Sequence, residues 1–115
     1  MLTFTKQSVM RLAAAAFAAA AVATAAAPAS AATGPSGTVN FYADAWFTTQ
    51  IAAYDAATLG KGCHRLPSVA HAEWNDSNVA IEVHTTTDCT GHALHFPAND
   101  IHSFIRFDAR SFRVV

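Results

Sequence analysis

Residues 38–115 of this 115-residue chain predict an all-β fold, either a sandwich or a barrel. Apolar and polar residues alternate over short segments, most clearly in residues 79–84 ("VAIEVH"). Gly and Pro separate these segments at short intervals. No segment carries a long helical period, although the Ala-rich residues 49–60 ("TQIAAYDAATLG") allow one or two helical turns.

The individual strands are predicted from aromatic and β-branched residues in alternation. In the first strand Val39 and Phe41 have one parity and Asn40 and Tyr42 the other. Gly residues form a turn before the next strand, which we expect Pro67 to close. The predicted strands lie within residues 39–54, 63–67, 79–85, 92–96 and 111–115.

Residues 1–31 have the pattern of a secretory signal peptide. Lys6 and Arg11 precede an apolar, Ala-rich stretch over residues 12–27, and small residues follow at 29–31. An Ala-rich helix or a membrane anchor is the alternative, but the stretch is short for a membrane span. We therefore expect cleavage after Ala31, secretion to the extracellular space, and a flexible leader over residues 32–37.

Cleavage would leave 84 residues, which is enough for one small domain. Five basic residues against eight acidic residues give this part a formal net charge of −3. Nucleic acids and anionic membranes bind clustered Lys and Arg, so neither is expected as a partner. We expect the protein to be a monomer.

The chain has only two cysteines, Cys63 and Cys89. Secretion would place both in an oxidising compartment, where a disulfide forms and persists. Two free thiols are the alternative. A small domain has a limited core, so a Cys63–Cys89 disulfide is expected to contribute much of its stability.

The chain also contains an internal repeat. Residues 41–49 match residues 83–91 in type at an offset of 42, and residues 67–74 match residues 107–114 at an offset of 40. Similar offsets predict two tandem units of about 40 residues.

The repeated pattern resembles the βγ-crystallin family. The first hairpin of a βγ-crystallin motif has an aromatic pair, a turn, and then an aromatic residue or Cys two positions before Gly; Cys89 and Gly91 stand at the last two of these positions. Ser111 in "DARSFRVV" fits the Ser that precedes the last strand of such a motif. The first unit departs from this pattern, with Thr49 at the Gly position and His71 at the Ser position. The resemblance implies two Greek-key motifs, residues 38–76 and 79–115, that form a β-sandwich. The wider group includes secreted metalloproteinase inhibitors and killer-toxin-like proteins.

The resemblance also implies a possible calcium site. Microbial members bind Ca²⁺ through an Asn/Asp-rich stretch that ends in Ser or Thr, and Asp108 and Ser111 are the residues of this type that the second unit keeps. The alternative is an Asp in a turn and a Ser bonded to the backbone. No other cofactor is expected.

Other candidate chemistry has weaker support in the sequence. The six histidines are expected to be exposed or hydrogen-bonded rather than zinc ligands, although together they could give sensitivity to pH; they are His64, His71, His84, His92, His95 and His102. No catalytic motif is present, so no enzymatic activity is expected. Asn75-Asp76-Ser77 is a glycosylation sequon.

These observations favour a non-enzymatic protein that binds through surface loops, with protease inhibition as the leading hypothesis. The loops expected to act are residues 56–61 and 98–103, and the partner would be an extracellular protein such as a protease. Trp46 and Trp74 are the aromatic residues expected to be partly exposed. The alternatives are a structural or stress-related module with weak calcium binding, and a toxin-like antagonist.

Overall fold

The computed structural model describes Gly34–Val115. The predicted signal peptide and residues 32 and 33 of the predicted leader lie outside the described residues. The described part contains eight strands and one short helix: β1 Gly37–Tyr42, β2 Gln50–Asp55, α1 Ala56–Leu59, β3 His64–Ala70, β4 Ala72–Ser77, β5 Ile81–His84, β6 Ala93–Phe96, β7 Asp100–Ser103 and β8 Ala109–Val114. Within this range, no helix is long and apolar enough to cross a membrane.

The strands form two four-stranded antiparallel sheets, so the predicted all-β sandwich is confirmed. Sheet 1 has the order β2-β1-β4-β7, and sheet 2 has the order β3-β8-β5-β6. Each half of the chain gives its third strand to the other sheet: β3 pairs with β8, and β7 pairs with β4. The two halves are therefore intertwined.

The core lies between the inner faces of the sheets. Val39 and Phe41 of β1 are fully buried, as are Ile81 and Val83 of β5. Phe41 contacts Phe112 of β8 across the sandwich, with ring centroids 4.8 Å apart. The alternation predicted for β1 and β5 thus gives the inward face correctly, and burying each such side chain stabilises the fold by about 1.5–3 kcal/mol.

Three predicted boundaries were wrong. β3 continues through Pro67 to Ala70, because it is an edge strand whose residues between Arg65 and Ala70 have no partners on β8. Residues 98–103, predicted as a loop, are largely the edge strand β7. Residues 56–61 are not a free loop either, since Ala56–Leu59 is the helix α1.

The helical turn allowed by the sequence forms at α1 because Asp55 caps it. The carboxylate of Asp55 accepts a hydrogen bond from the Ala57 amide at 3.0 Å. Ala56 and Leu59 are buried under the sandwich edge. The helix closes one side of the core.

The start of the domain is fastened to the β4–β5 connection. The Ser36 amide donates to Asn78 Oδ1 at 2.8 Å, and Asn78 Nδ2 donates to the Gly34 carbonyl at 3.1 Å. Gly37, placed by the sequence in the leader, is the first residue of β1. The ordered domain therefore begins a little earlier than predicted.

The second repeat offset was also wrong by one residue. His84 of β5 lies opposite Ser111, and Tyr42 of β1, which is 42 residues earlier, lies opposite Ala72. The equivalent of Ser111 in the first half is thus Ala72 rather than His71. The corrected offset is 39, and it places Glu73 at the position of Phe112.

Candidate functional site

Several loops meet at one end of the sandwich, which we call the loop end. It comprises the β1–β2 loop (residues 43–49), the β5–β6 loop (85–92), the β7–β8 loop (104–108) and His71. The Phe104 amide donates to the His71 carbonyl at 2.8 Å. Arg110 Nη1 donates to the Thr85 carbonyl at 3.2 Å. Hydrogen bonds thus connect loops from both halves of the chain.

The β1–β2 loop is organised around the Asp44 carboxylate. It accepts hydrogen bonds from the amides of Trp46, Thr48 and Thr49, and from the Thr48 hydroxyl at 2.7 Å. The Thr48 hydroxyl and these amides lower the pKa of Asp44 below its usual value. A charged Asp44 therefore holds a tight loop whose tip carries Trp46, 76% exposed.

The β5–β6 loop repeats this design with a different capping residue. Thr86, which is 42 residues after Asp44, accepts from the amides of Thr90 and Gly91. The backbone is left-handed at Phe47 (φ 62°) and at its equivalent Cys89 (φ 61°). The first offset is therefore confirmed residue by residue.

His71 connects the β1–β2 loop to the β7–β8 loop. Its Nδ1 lies 2.8 Å from the Ala43 carbonyl oxygen and its Nε2 lies 2.7 Å from Asp108 Oδ1. Both partners are acceptors, so both ring nitrogens donate when the ring is protonated. The hydrogen bond to Asp108, followed by the bond to Ala43, raises the pKa of His71.

The predicted disulfide is present and fixes the β5–β6 loop. Cys63, just before β3, is bonded to Cys89, with their Cα atoms 5.9 Å apart. Ser111 holds the same loop from β8, since its hydroxyl donates to the Thr86 carbonyl and accepts from the Cys89 amide. Ser111 is fully buried.

The two residues predicted to bind calcium have other partners in the structure. Asp108 is exposed and pairs with His71, while the Ser111 hydroxyl is bonded to the backbone. Among residues 34–115, no three or more His, Cys, Asp or Glu side chains are grouped as a metal site. Calcium binding at Asp108 and Ser111 stays a prediction.

The histidines are dispersed rather than gathered at one place. The ring of His64 lies 2.9 Å from the Leu59 carbonyl oxygen, and His84, which is buried, lies 3.2 Å from that of Gly91. His92 packs against Phe107 of the β7–β8 loop. His95 and His102 lie on the edge strands β6 and β7.

The Asn of the glycosylation sequon is buried, whereas both tryptophans are exposed. Asn75 is fully buried, and its side-chain amide donates to the carbonyls of Val79 and Pro97. The folded domain therefore does not present Asn75 for glycosylation. Trp46 and Trp74 are exposed, as predicted.

The sequence did not indicate Ile105, which is 64% exposed in the β7–β8 loop. The segment "SFIRF" holds three large apolar residues, and the sequence does not separate the buried Phe104 from the exposed Ile105. Ile105 and Trp46 are two large apolar side chains on loops that His71 joins. Together they give the loop end an exposed apolar character.

The fold and loops define a small antiparallel β-sandwich braced by one disulfide. Comparisons with protein-family models, with curated proteins and with solved structures found no significant match to this chain.

Proposed function

We propose that this chain is a secreted βγ-crystallin-like protein built of two Greek-key motifs. The exchange of β3 and β7 between the sheets supports this proposal, because it gives the two halves the same connectivity. The equivalent hairpin loops, each with a left-handed residue at position 47 or 89, support it as well.

We further propose that the protein is a non-enzymatic binding protein that acts through its loop end, with a protease as the leading partner. The observation that carries this proposal is Trp46, which is 76% exposed at the tip of a loop held by Asp44. Trp is the residue type most enriched at the energetic centres of protein interfaces. A preorganised loop also loses little entropy on binding.

The binding surface would therefore differ from the loops that the sequence suggested. Residues 56–61 are mainly the helix α1, whose Ala56 and Leu59 are buried, and residues 98–103 are mainly β7. In contrast, residues 43–49 and 104–108 carry the exposed Trp46 and Ile105.

The first prediction is that Trp46→Ala weakens binding to the target. The protein would be assayed against a panel of metalloproteases and serine proteases, and the inhibition constant measured for any enzyme inhibited. Truncating a central Trp costs at least about 2 kcal/mol, so inhibition should weaken at least about 30-fold.

Trp74→Ala is the matched control, because Trp74 is also exposed but lies on the outer face of β4. It should inhibit like the unmodified protein. Equal loss with both variants would contradict a role for the loop end, and no inhibition of any protease at micromolar concentration would contradict protease inhibition itself.

A further inference from the structure

A pocket of about 150 Å³ lies beside the loop end, where the edge strand β3 leaves its partner β8. Its lining combines three apolar residues with two hydroxyl-bearing residues and two arginines. The lining residues are Arg65, Leu66, Pro67, Ser68, Val69, Thr87 and Arg110.

The charge of the pocket is positive in a domain that is otherwise acidic. Arg65 and Arg110 both line it, and no Asp or Glu does. Arg110 is partly satisfied by the carbonyls of Thr85 and Asp108 and lies 3.8 Å from the Asp108 carboxylate. Within residues 34–115, Arg65 has neither an ion pair nor a side-chain hydrogen bond, in contrast to Arg110 and Arg113.

The walls of the pocket are held in place independently of any ligand. Thr87 belongs to the β5–β6 loop, which the disulfide ties to the start of β3. Ser111 fastens the preceding residue, Thr86, to β8. Because β3 and the loop cannot separate easily, the backbone around the pocket, which carries Arg65 and Arg110, is held in place.

We propose that this pocket binds a carboxylate group carried on a short apolar stem. The guanidinium of Arg65 would donate to the carboxylate oxygens, with Arg110 and the hydroxyls of Ser68 and Thr87 completing the polar side. The stem would lie against Pro67 and Val69, which are not buried. This chemistry is found in the C-terminus of a peptide and in Glu side chains.

The pocket proposal is independent of the protease proposal. It requires neither Trp46 nor Ile105, and a protein that inhibits no protease could still bind carboxylates here.

The test is a titration of the isotope-labelled protein, followed through its two-dimensional amide spectra. The probes are propionate, N-acetylalanine for a chain terminus, and N-acetylglutamate α-amide for a side chain. We expect saturable, millimolar binding that shifts the Thr87 amide and weakens with added salt. Whichever of the last two probes binds more tightly identifies the source of the carboxylate.

Two variants and one neutral probe test whether Arg65 binds the carboxylate. Arg65→Gln should weaken propionate binding about tenfold, the loss expected for one charge-assisted contact. Arg106→Gln is the matched control, because Arg106 is an exposed arginine outside the pocket, and it should change nothing. Propionamide, which is neutral, should not bind.

Equal binding of propionamide, or an unchanged affinity in Arg65→Gln, would overturn the proposal. A preference for inorganic phosphate over propionate would overturn the carboxylate assignment. Loss of carboxylate binding in Trp46→Ala would show that the two surfaces are one site and would overturn their independence.

Discussion

At the scale of single residues, Gly91 has no room for a side chain. A Cβ at this position would lie 2.6 Å from Thr85 Oγ1 and 2.7 Å from Thr86 Cγ2. Thr86 caps the loop through the Gly91 amide, so its side chain cannot move away without losing that bond. Gly91 is therefore required by close approach of neighbouring atoms.

We predict that Gly91→Ala lowers the free energy of unfolding by about 1–3 kcal/mol, the usual cost of forcing an extra group into a packed site. Urea denaturation of both proteins would measure the difference. Gly62→Ala is the control, because nothing lies within 4 Å of the Cβ it would add. If both substitutions cost the same, the contact with Thr85 and Thr86 would not be the cause.

The roles of these loop residues were only partly predictable. The turn pattern located the hairpin and its Gly correctly, although Gly is also the residue that most readily adopts a left-handed backbone. That conformation occurs two residues earlier, at Cys89. A sequence pattern marks where a chain turns, whereas the dihedral angles depend on hydrogen bonds to Thr86 and Ser111 that form only in the folded loop.

At the scale of strands, β4 and β8 are equivalent in position and differ in chemistry. β8 places Phe112 in the core, whereas β4 places Glu73 there, fully buried. Neither carboxylate oxygen of Glu73 has a hydrogen-bonding partner among the described residues. On the neighbouring strand β7, His102 lies opposite Glu73 and Asp100 lies close by.

Burial, and after it the nearby Asp100, raises the pKa of Glu73 to about 9. The unfolded chain releases this proton near pH 4.5, so between these values the folded state holds more protons. Stability therefore falls as pH rises across this window, by at most about 1.4 kcal/mol per pH unit. The domain should be more stable at pH 5 than at pH 8.

We predict that Glu73→Gln flattens this dependence, because the amide does not titrate. Urea denaturation at several pH values between 5 and 9 would measure the free energy of unfolding of both proteins and so show the difference in slope. His71 acts in the same direction, since its raised pKa gives stability at low pH that is lost as the ring deprotonates. The contribution of His71 to the pH dependence of stability should remain in Glu73→Gln.

Asp76→Asn is the control for the Glu73 prediction. Asp76 lies on the same strand as Glu73 but is exposed, so its removal should leave the pH slope intact. The Glu73 prediction fails if Glu73→Gln keeps the full slope.

The same polar residues explain which strands the sequence revealed. β1, β5, β6 and β8 were predicted from alternating apolar residues. β4 and β7 were missed because neither has an alternating apolar pattern: β4 holds the buried Glu73 and Asn75 at its inward positions, and β7 has no buried residue. The register of β4 with β1 places Glu73 and Asn75 opposite buried apolar residues, and so shows that they face the interior.

At the scale of the whole molecule, the exchange of strands makes the halves interdependent. β3 comes from the first half and pairs only with β8 of the second, along an edge with a four-residue irregularity. Few ladder bonds therefore secure this strand. The disulfide between Cys63 and Cys89 joins the start of β3 to the second half, next to the two residues His64 and Arg65 that pair with β8 before the irregularity.

We predict that the double variant Cys63→Ser, Cys89→Ser loses about 3.5 kcal/mol of stability. The cysteines are 26 residues apart, and the chain-entropy treatment assigns this value to a loop of that length. Without the bond the denatured chain expands, so the dependence of unfolding free energy on urea concentration should also steepen.

The unmodified protein in a thiol reductant is the matched control, since it loses the bond and keeps both side chains. It should unfold at nearly the same urea concentration as the double variant. A loss below about 1 kcal/mol in both would contradict the prediction, and it would assign the fastening of β3 and the β5–β6 loop to Ser111 and the core.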